Sequence, residues 1–308
     1  MNDLRPIKRI GFIGLGRMGY PMAGHLAGAG FKIIPADTNV EALASFEREH
    51  GGAAAHDLEA LGADVDAVIT MLPTSAIVRD VLLGETGAAK SLKEGTFVLD
   101  MSTSNPNDTK ALSEALAPQG IHVCDAPVAG GVVFAKDGTL DILVGGDAAV
   151  AEHIRPLLEA MGKTIHYCGP VGSAHAMKAI NNYVNAAVLP VYLEAITAGA
   201  KFGIDMATLL GSLEASTLGR NHPYEKKVKK HVFTRAFATG MDMKLIAKDV
   251  QIAVDTMNDI GVPSPMSSVT AALWWEASEK LGGTSDQSEI AKYWEQPAGL
   301  ELMGPSSE

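Results

Sequence analysis

The stretch that most restricts the fold runs from Ile10 to Asp37. Ile10-Gly11-Phe12-Ile13 is a short apolar run with the pattern of a buried strand. It leads into Gly14-Leu15-Gly16-Arg17-Met18-Gly19, which fits GxGxxG. Helical spacing follows, with Met22, Leu26 and Ala29 on one face, and ends at Gly30. A second apolar run, Phe31 to Ala36, ends at Asp37. Strand, glycine turn, helix, strand and acid, with the acid about twenty residues past the turn, is the fingerprint of a dinucleotide-binding βαβ unit. Gly14 permits the tight turn, Gly16 lets a pyrophosphate approach the backbone, and Gly19 lets helix and strand pack closely. Free N–H groups at the helix start favour phosphate. Asp37 would accept hydrogen bonds from ribose hydroxyls and repel a 2′-phosphate, and Asp37-Thr38-Asn39 offers no arginine. NAD is therefore expected over NADP. Pro35, late in the second strand, is expected to remove a ladder donor, and His25 to be solvated.

Strand-like runs continue at 67–72, 96–101, 121–125, 140–144 and 164–168. Helical patterns at 40–49, 77–83, 107–116 and 148–161 lie between several of them. The alternation predicts a mostly parallel, doubly wound sheet whose ligands bind beyond the carboxyl ends of the strands. Three loops fall at those ends: Met71-Leu72-Pro73-Thr74-Ser75, Ser102-Thr103-Ser104-Asn105-Pro106, and Pro127-Val128-Ala129-Gly130-Gly131. The double glycine offers backbone N–H groups to a carboxylate.

A long helix is predicted from about Gly172 to Lys201. Its face at Met177, Ile180, Val184, Ala187, Val188, Leu189 and Val191 is apolar and expected to be buried. Lys178 and Asn182, four residues apart, point the same way from it. A lysine held there is desolvated and its pKa falls, which suits proton transfer near neutral pH. The competing reading is a surface lysine whose stem lies along the helix.

The chain has 308 residues, 47% hydrophobic and 20% charged, enough for two domains. Its net charge of −11 argues against general nucleic-acid binding. It has no uninterrupted apolar run long enough to span a membrane. Met1 to Lys8 is short and polar, unlike a secretory or transit segment. Cys124 and Cys168 follow apolar runs and are expected to be buried, reduced thiols. A cytoplasmic protein that needs no metal is expected.

Taken together, these motifs resemble the β-hydroxyacid dehydrogenase family, over roughly Ile10 to Trp294. Gly14 through Ala23 looks like its cofactor fingerprint. Asp125-Ala126-Pro127-Val128-Ala129-Gly130-Gly131, leading to Gly138-Thr139-Leu140, looks like its substrate signature. Gly169-Pro170-Val171-Gly172 through Lys178 to Asn181-Asn182 looks like its catalytic signature, and Lys248-Asp249 like its Lys-Asp element. The resemblance implies an α/β Rossmann domain with a doubly wound parallel sheet (1–168), a long interdomain helix (169–201) and an all-helical domain (202–308). It implies reversible hydride transfer between NAD and a small anionic 3-hydroxy acid or its semialdehyde, and a homodimer or homotetramer.

The roles implied for single residues follow. Lys178 is the general acid/base, and Asn182 positions the substrate and helps hold the lysine. Ser102, Thr103 and Asn181 lie at the substrate, with Thr103 also near the nicotinamide. Gly130 and Gly131 hold the acid group. Gly14, Leu15, Gly16, Arg17, Met18, Gly19, Asp37, Met71, Leu72 and Pro73 bind the cofactor, and Lys248 closes over cofactor or substrate. Three departures stand out. Ala129 replaces a usual serine, Val133-Phe134 replaces small residues, and Ala174-His175 replaces a Gly-Gln type pair. His175 is expected to be a surface histidine, with contact to cofactor or substrate as the alternative.

The remainder reads as helix. Pro190 is expected to kink or break the long helix, and Asp205 to cap a helix from Met206 to Glu214. Helices are also expected at 241–260, 265–281 and 288–294, with a loose tail from Gln296. The basic run Arg220 to His231 is expected to be a solvated loop and helix face, with Arg220 or His222 reaching an anionic substrate as the alternative. Imine reduction on the same fold is a competing activity, disfavoured by Lys178. A non-catalytic dinucleotide sensor is the competing class.

Overall fold

The computed structural model describes residues 4–55, 57–220, 222–259 and 261–304. The chain divides into two compact units, Met1–Tyr183 and Val184–Glu308.

The first unit opens with the predicted βαβ: β1 (Arg9–Ile13), α1 (Gly19–Gly28) and β2 (Lys32–Ala36). There follow α2 (Val40–His50), α3 (Leu58–Ala63), β3 (Ala67–Thr70), α4 (Ser75–Leu83), β4 (Phe97–Asp100), α5 (Pro106–Leu116) and β5 (His122–Asp125). Then come β6 (Val128–Ala129), α6 (Val132–Lys136), β7 (Leu140–Gly145), α7 (Ala148–His153), α8 (Arg155–Met161) and β8 (Gly162–Gly169). The sheet order is β2-β1-β3-β4-β5-β7-β6, with β8 paired to β7. Strands β1 to β5 are parallel, β7 runs antiparallel to β5 and β6, and β8 is parallel to β7.

Side chains alternate across the strands and so build two cores. Ile10, Phe12, Phe97 and Leu99 pack with Met22 and Leu26 of α1 and Met161 of α8. Ile13, Val68 and Val98 pack with Leu61, Val78, Leu82, Leu112 and Leu116 from α3, α4 and α5. Both faces of the parallel sheet are thus covered, as continuous apolar strands require.

The structure corrects several local expectations. Lys32 N–H donates to the Lys8 carbonyl and Gly14 N–H to that of Ala36, so these β2 residues face β1. Pro35 faces the open edge, where its carbonyl accepts from Ala55 N–H, and no bond to β1 is lost. His25 is not simply solvated, because its Nε2 meets the Lys136 carbonyl at 2.9 Å. The helix expected over 148–161 divides at Ile154, and Pro156 lies in the first turn of α8. The two-residue strand β6 arises within what the sequence reads as a loop. Cys124 is buried, whereas Cys168 is only half-buried.

Helix α9, Ser173–Phe202, is continuous for 30 residues, so Pro190 does not divide it. Its expected buried face is not buried: Met177 is 44% and Ile180 56% exposed, and Val188 and Val191 are exposed too. The inward residues of its first turn are instead Ala174 and His175, both at 0%. The side chains of Val184, Ala187, Leu189 and Pro190 lie outside the description.

The second unit holds α10 (Met206–Leu213), α11 (Met243–Asp259), α12 (Pro265–Leu281) and α13 (Lys292–Ala298), with α11 packed on α12. Asp205 caps α10 by accepting from Thr208 N–H at 3.0 Å. Residues Glu214–Arg220 and Tyr224–Val232 form wider π-type turns. In the basic run, Lys226, Lys229 and Lys230 are exposed, while Lys227 donates to Gln287 at 2.9 Å. Asn221 and the side chain of Arg220 fall outside the described residues, and His222 is exposed. The tail is not loose throughout, since α13 reaches Ala298 and Leu302 N–H donates to the Glu295 carboxylate at 2.8 Å. Among the described residues no helix is long and apolar enough to cross a membrane.

Asp286 ties this unit together. Its carboxylate accepts from Thr239 Oγ1, Gly240 N–H, Ser288 N–H and Ser288 Oγ. Burial alone would raise its pKa, but the donors of Ser288, Thr239 and Gly240 outweigh that and hold it at about 2. A carboxyl depressed on folding stabilises fully above its unfolded pKa of about 3.9, and that contribution fades as pH falls toward the folded value. Asp286→Ala is expected to cost about 1–3 kcal/mol by leaving these donors unpaired. Denaturant unfolding should show the deficit at pH 7 and a smaller one near pH 2.

Candidate functional site

The glycine turn and the ends of β1 to β3 enclose a cavity of about 750 Å3. Gly14, Gly16, Arg17, Met18, Gly19, Asp37, Met71, Leu72 and Pro73 line it together, from segments far apart in sequence. Each glycine has a separate physical reason. Gly14 takes φ +103, a conformation that L side chains rarely adopt. A Cβ on Gly19 would run into the Gly14 carbonyl oxygen. A Cβ on Gly16 would meet nothing within 4 Å, so folding does not demand glycine there.

Helix α1 starts without a side-chain cap, but Tyr20 N–H is taken by the Gly16 carbonyl and Met22 N–H by that of Met18, and Pro21 has none. Leu15 does not line the cavity. It is buried, and its N–H donates to Asp37 Oδ2 at 2.5 Å. Asp37 Oδ1 accepts from Asn39 N–H at 2.7 Å, which fixes the carboxylate at the end of β2. The Gly16 gap and the anchored acid fit a dinucleotide.

At the neighbouring strand ends, sheet register sets Thr70, Asp100 and Asp125 in one row across β3, β4 and β5. All three are essentially unexposed. Asp100 accepts from Thr70 Oγ1 at 2.9 Å, Ser102 N–H at 3.0 Å and Ser104 Oγ at 2.5 Å. Asp125 accepts from Gly172 N–H and His175 N–H, both at 2.8 Å, and so caps the start of α9. A carboxylate there also complements the positive end of the helix.

Lys178 is half-buried on this anchored helix, and burial lowers its pKa below that of a free lysine. Asn182 is exposed and Asn181 half-buried. Gly130 and Gly131 are exposed, with φ +116 and +77, so the double glycine is required by its backbone. Phe134, 49% exposed, packs so closely that a Cβ on Gly130 would stand 2.9 Å from its own Cβ.

Thr103 is exposed. Ser102 has no exposed surface, and its hydroxyl accepts from Leu72 N–H at 2.9 Å. That hydroxyl therefore holds Leu72, in the wall of the cavity. Lys248 lies on α11 in the second unit, and the side chain of Asp249 is outside the description.

His175 is the clearest departure from expectation. It is completely buried, not on the surface. Its Nδ1 lies 2.8 Å from Thr109 Oγ1 and its Nε2 3.1 Å from the Ser102 carbonyl. Asp100 and Asp125 were not singled out as polar anchors either. The available signal was an acid closing each of two apolar strand runs, directly before a loop.

Residues 9–169 match the family described as the NAD binding domain of 6-phosphogluconate dehydrogenase. Residues 172–294 match that described as NAD-binding of NADP-dependent 3-hydroxyisobutyrate dehydrogenase. A 2-(hydroxymethyl)glutarate dehydrogenase from Eubacterium barkeri is 35% identical, over 96% of this chain and 98% of its own. The solved Mycobacterium tuberculosis 3-hydroxyisobutyrate dehydrogenase with L-serine is 29% identical, with a TM-score of 0.65 over 92% of this chain and 98% of that one. An imine reductase variant from Myxococcus stipitatus in complex with NAD+ gives a TM-score of 0.83 at 17% identity, over 94% and 99%, which speaks for the fold alone. With both halves matched and a full-length relative above 30% identity, the chain belongs to the β-hydroxyacid dehydrogenase family.

Proposed function

We propose that this chain is an NAD-dependent β-hydroxyacid dehydrogenase that acts reversibly on a small anionic 3-hydroxy acid or its semialdehyde. The observation that carries the reading is a half-buried lysine with a lowered pKa, in the same unit as the glycine-turn cavity. Similarity to enzymes named for 2-(hydroxymethyl)glutarate and 3-hydroxyisobutyrate supports the substrate class.

When bound, the nicotinamide exchanges a hydride with the carbinol carbon. In oxidation, neutral Lys178 takes the hydroxyl proton. In reduction, its ammonium returns a proton to the forming alkoxide. Asn182 and Asn181 orient the substrate, while Gly130 and Gly131 hold its acid group through backbone N–H. Thr103 completes the substrate side. Phe134 narrows the approach to Gly130 and favours compact substrates. Asp37 binds the ribose hydroxyls and disfavours a 2′-phosphate.

Lys178→Ala should abolish turnover, by about a hundredfold or more, while NAD binding persists. Steady-state assays across small 3-hydroxy acids, with calorimetric NAD titration, check this. Because the base acts when neutral, oxidation kcat/KM should rise with pH through a pKa below the ~10.4 of a free lysine. Reduction, which needs the ammonium, should fall over the same range.

Gly16→Ala should leave the melting temperature unchanged and weaken NAD by about tenfold or more, since the methyl meets only ligand. Equal NAD affinity would show that no phosphate approaches there. Wild type should prefer NAD to NADP by about tenfold or more in kcat/KM. Asp37→Asn should narrow the ratio, because charge repulsion is lost and Arg17 lines the same cavity.

A further inference from the structure

We propose that His175 is a positioning residue for Lys178, fixing the first turn of α9 against the segment from Ser102 to Thr109. The inference rests on the reading of Lys178 as the proton carrier.

His175 and Lys178 are three residues apart, so they share a helix face one turn from each other. His175 is held at both its backbone and its ring. Its N–H goes to Asp125 and its ring spans Thr109 and the Ser102 carbonyl. A carbonyl oxygen only accepts, so Nε2 carries a proton. The Thr109 hydroxyl has one proton for two acceptors, Nδ1 at 2.8 Å and the Asn105 carbonyl at 3.1 Å. The ring therefore joins the start of α9 to Ser102 at the end of β4 and to Thr109 in the first turn of α5. Asp100 and Asp125 lie 3.8 and 3.9 Å from its two nitrogens, and both are already engaged by N–H and O–H donors.

The network continues to the cavity. Ser102, whose carbonyl His175 holds, holds Leu72 N–H through its hydroxyl. One buried ring thus relates the start of the lysine-bearing helix to the cavity wall. Lys178 has no ion-pair partner among the described residues, and burial is what lowers its pKa. Its depth is therefore the property that the anchor controls. The sequence places histidine where a flexible amide is usual in the resemblance, and the imidazole gives a rigid donor and acceptor at fixed separation.

The test measures Lys178 directly in the full-length chain. The pH dependence of acylation by an amine-reactive ester, read by mass spectrometry of the Lys178 peptide, is compared for wild type, His175→Leu, His175→Gln and Thr109→Val. His175→Leu is expected to move the labelling pKa up toward an ordinary lysine. It should also lower kcat by about tenfold or more, because a small misplacement of a reacting group is costly. NAD affinity should fall by less than kcat, since the glycine turn and Asp37 lie outside the network and His175 reaches Leu72 only through Ser102.

His175→Gln, with one donor and one acceptor at its tip, should restore both readouts, and Thr109→Val should shift them in the direction of leucine. Lowered melting temperature with unchanged labelling pKa and kcat in His175→Leu would overturn the proposal, as would failure of glutamine to restore them. If the leucine variant does not fold, Thr109→Val decides, and wild-type labelling in it overturns the proposal. Turnover that survives Lys178→Ala would sink the proton-carrier reading alone, and the labelling shifts would still report the anchor.

Discussion

Two carboxylates buried side by side organise the first unit. Asp100 and Asp125 occupy matched positions on adjacent strands, both removed from solvent. Such burial costs several kcal/mol for each ion unless donors replace the lost water. Here the donors come from the end of β3, the loop after β4 and the start of α9. Asp100 gathers Thr70, Ser102 and Ser104, and Asp125 gathers the first turn of α9. Displacing either loop would strand a charge, so the carboxylates convert sheet register into loop position.

This arrangement divides the labour at the strand ends. The first three strands and the loops after them present glycine backbone, apolar side chains and an anchored acid to a cavity suited to a dinucleotide. The next two are sealed by polar side chains turned inward. Ser102 stands at the seam, with its hydroxyl on one side and its carbonyl on the other.

The sequence made local order legible where the relevant physics is local. Strand–turn–helix–strand and Asp37 follow from periodicity and glycine spacing, and the residues expected in one cavity largely meet there. Leu15 does not, because only its backbone matters. The burial of His175 was not legible, since the residues that satisfy it, Thr109 and Ser102, lie on other elements. The face of α9 misled for the same reason. Apolar periodicity says which residues share a side, but not whether that side is covered, and Met177 and Ile180 are exposed. The short strand β6 forms through its pairing with β7, a non-local contact.

The edge of the sheet has a consequence beyond catalysis. An open parallel edge offers a row of N–H and C=O groups to any extended segment that arrives. On β2 the outward groups at Pro35 are already closed, because proline has no N–H and its carbonyl is taken by Ala55. A Cβ on Gly52 would stand 2.6 Å from the Ile33 carbonyl, so backbone of the same loop also covers that outward group. The chain has thus blunted the β2 edge of its sheet. A crowded solution of partly folded copies therefore finds no template there for growing a shared sheet.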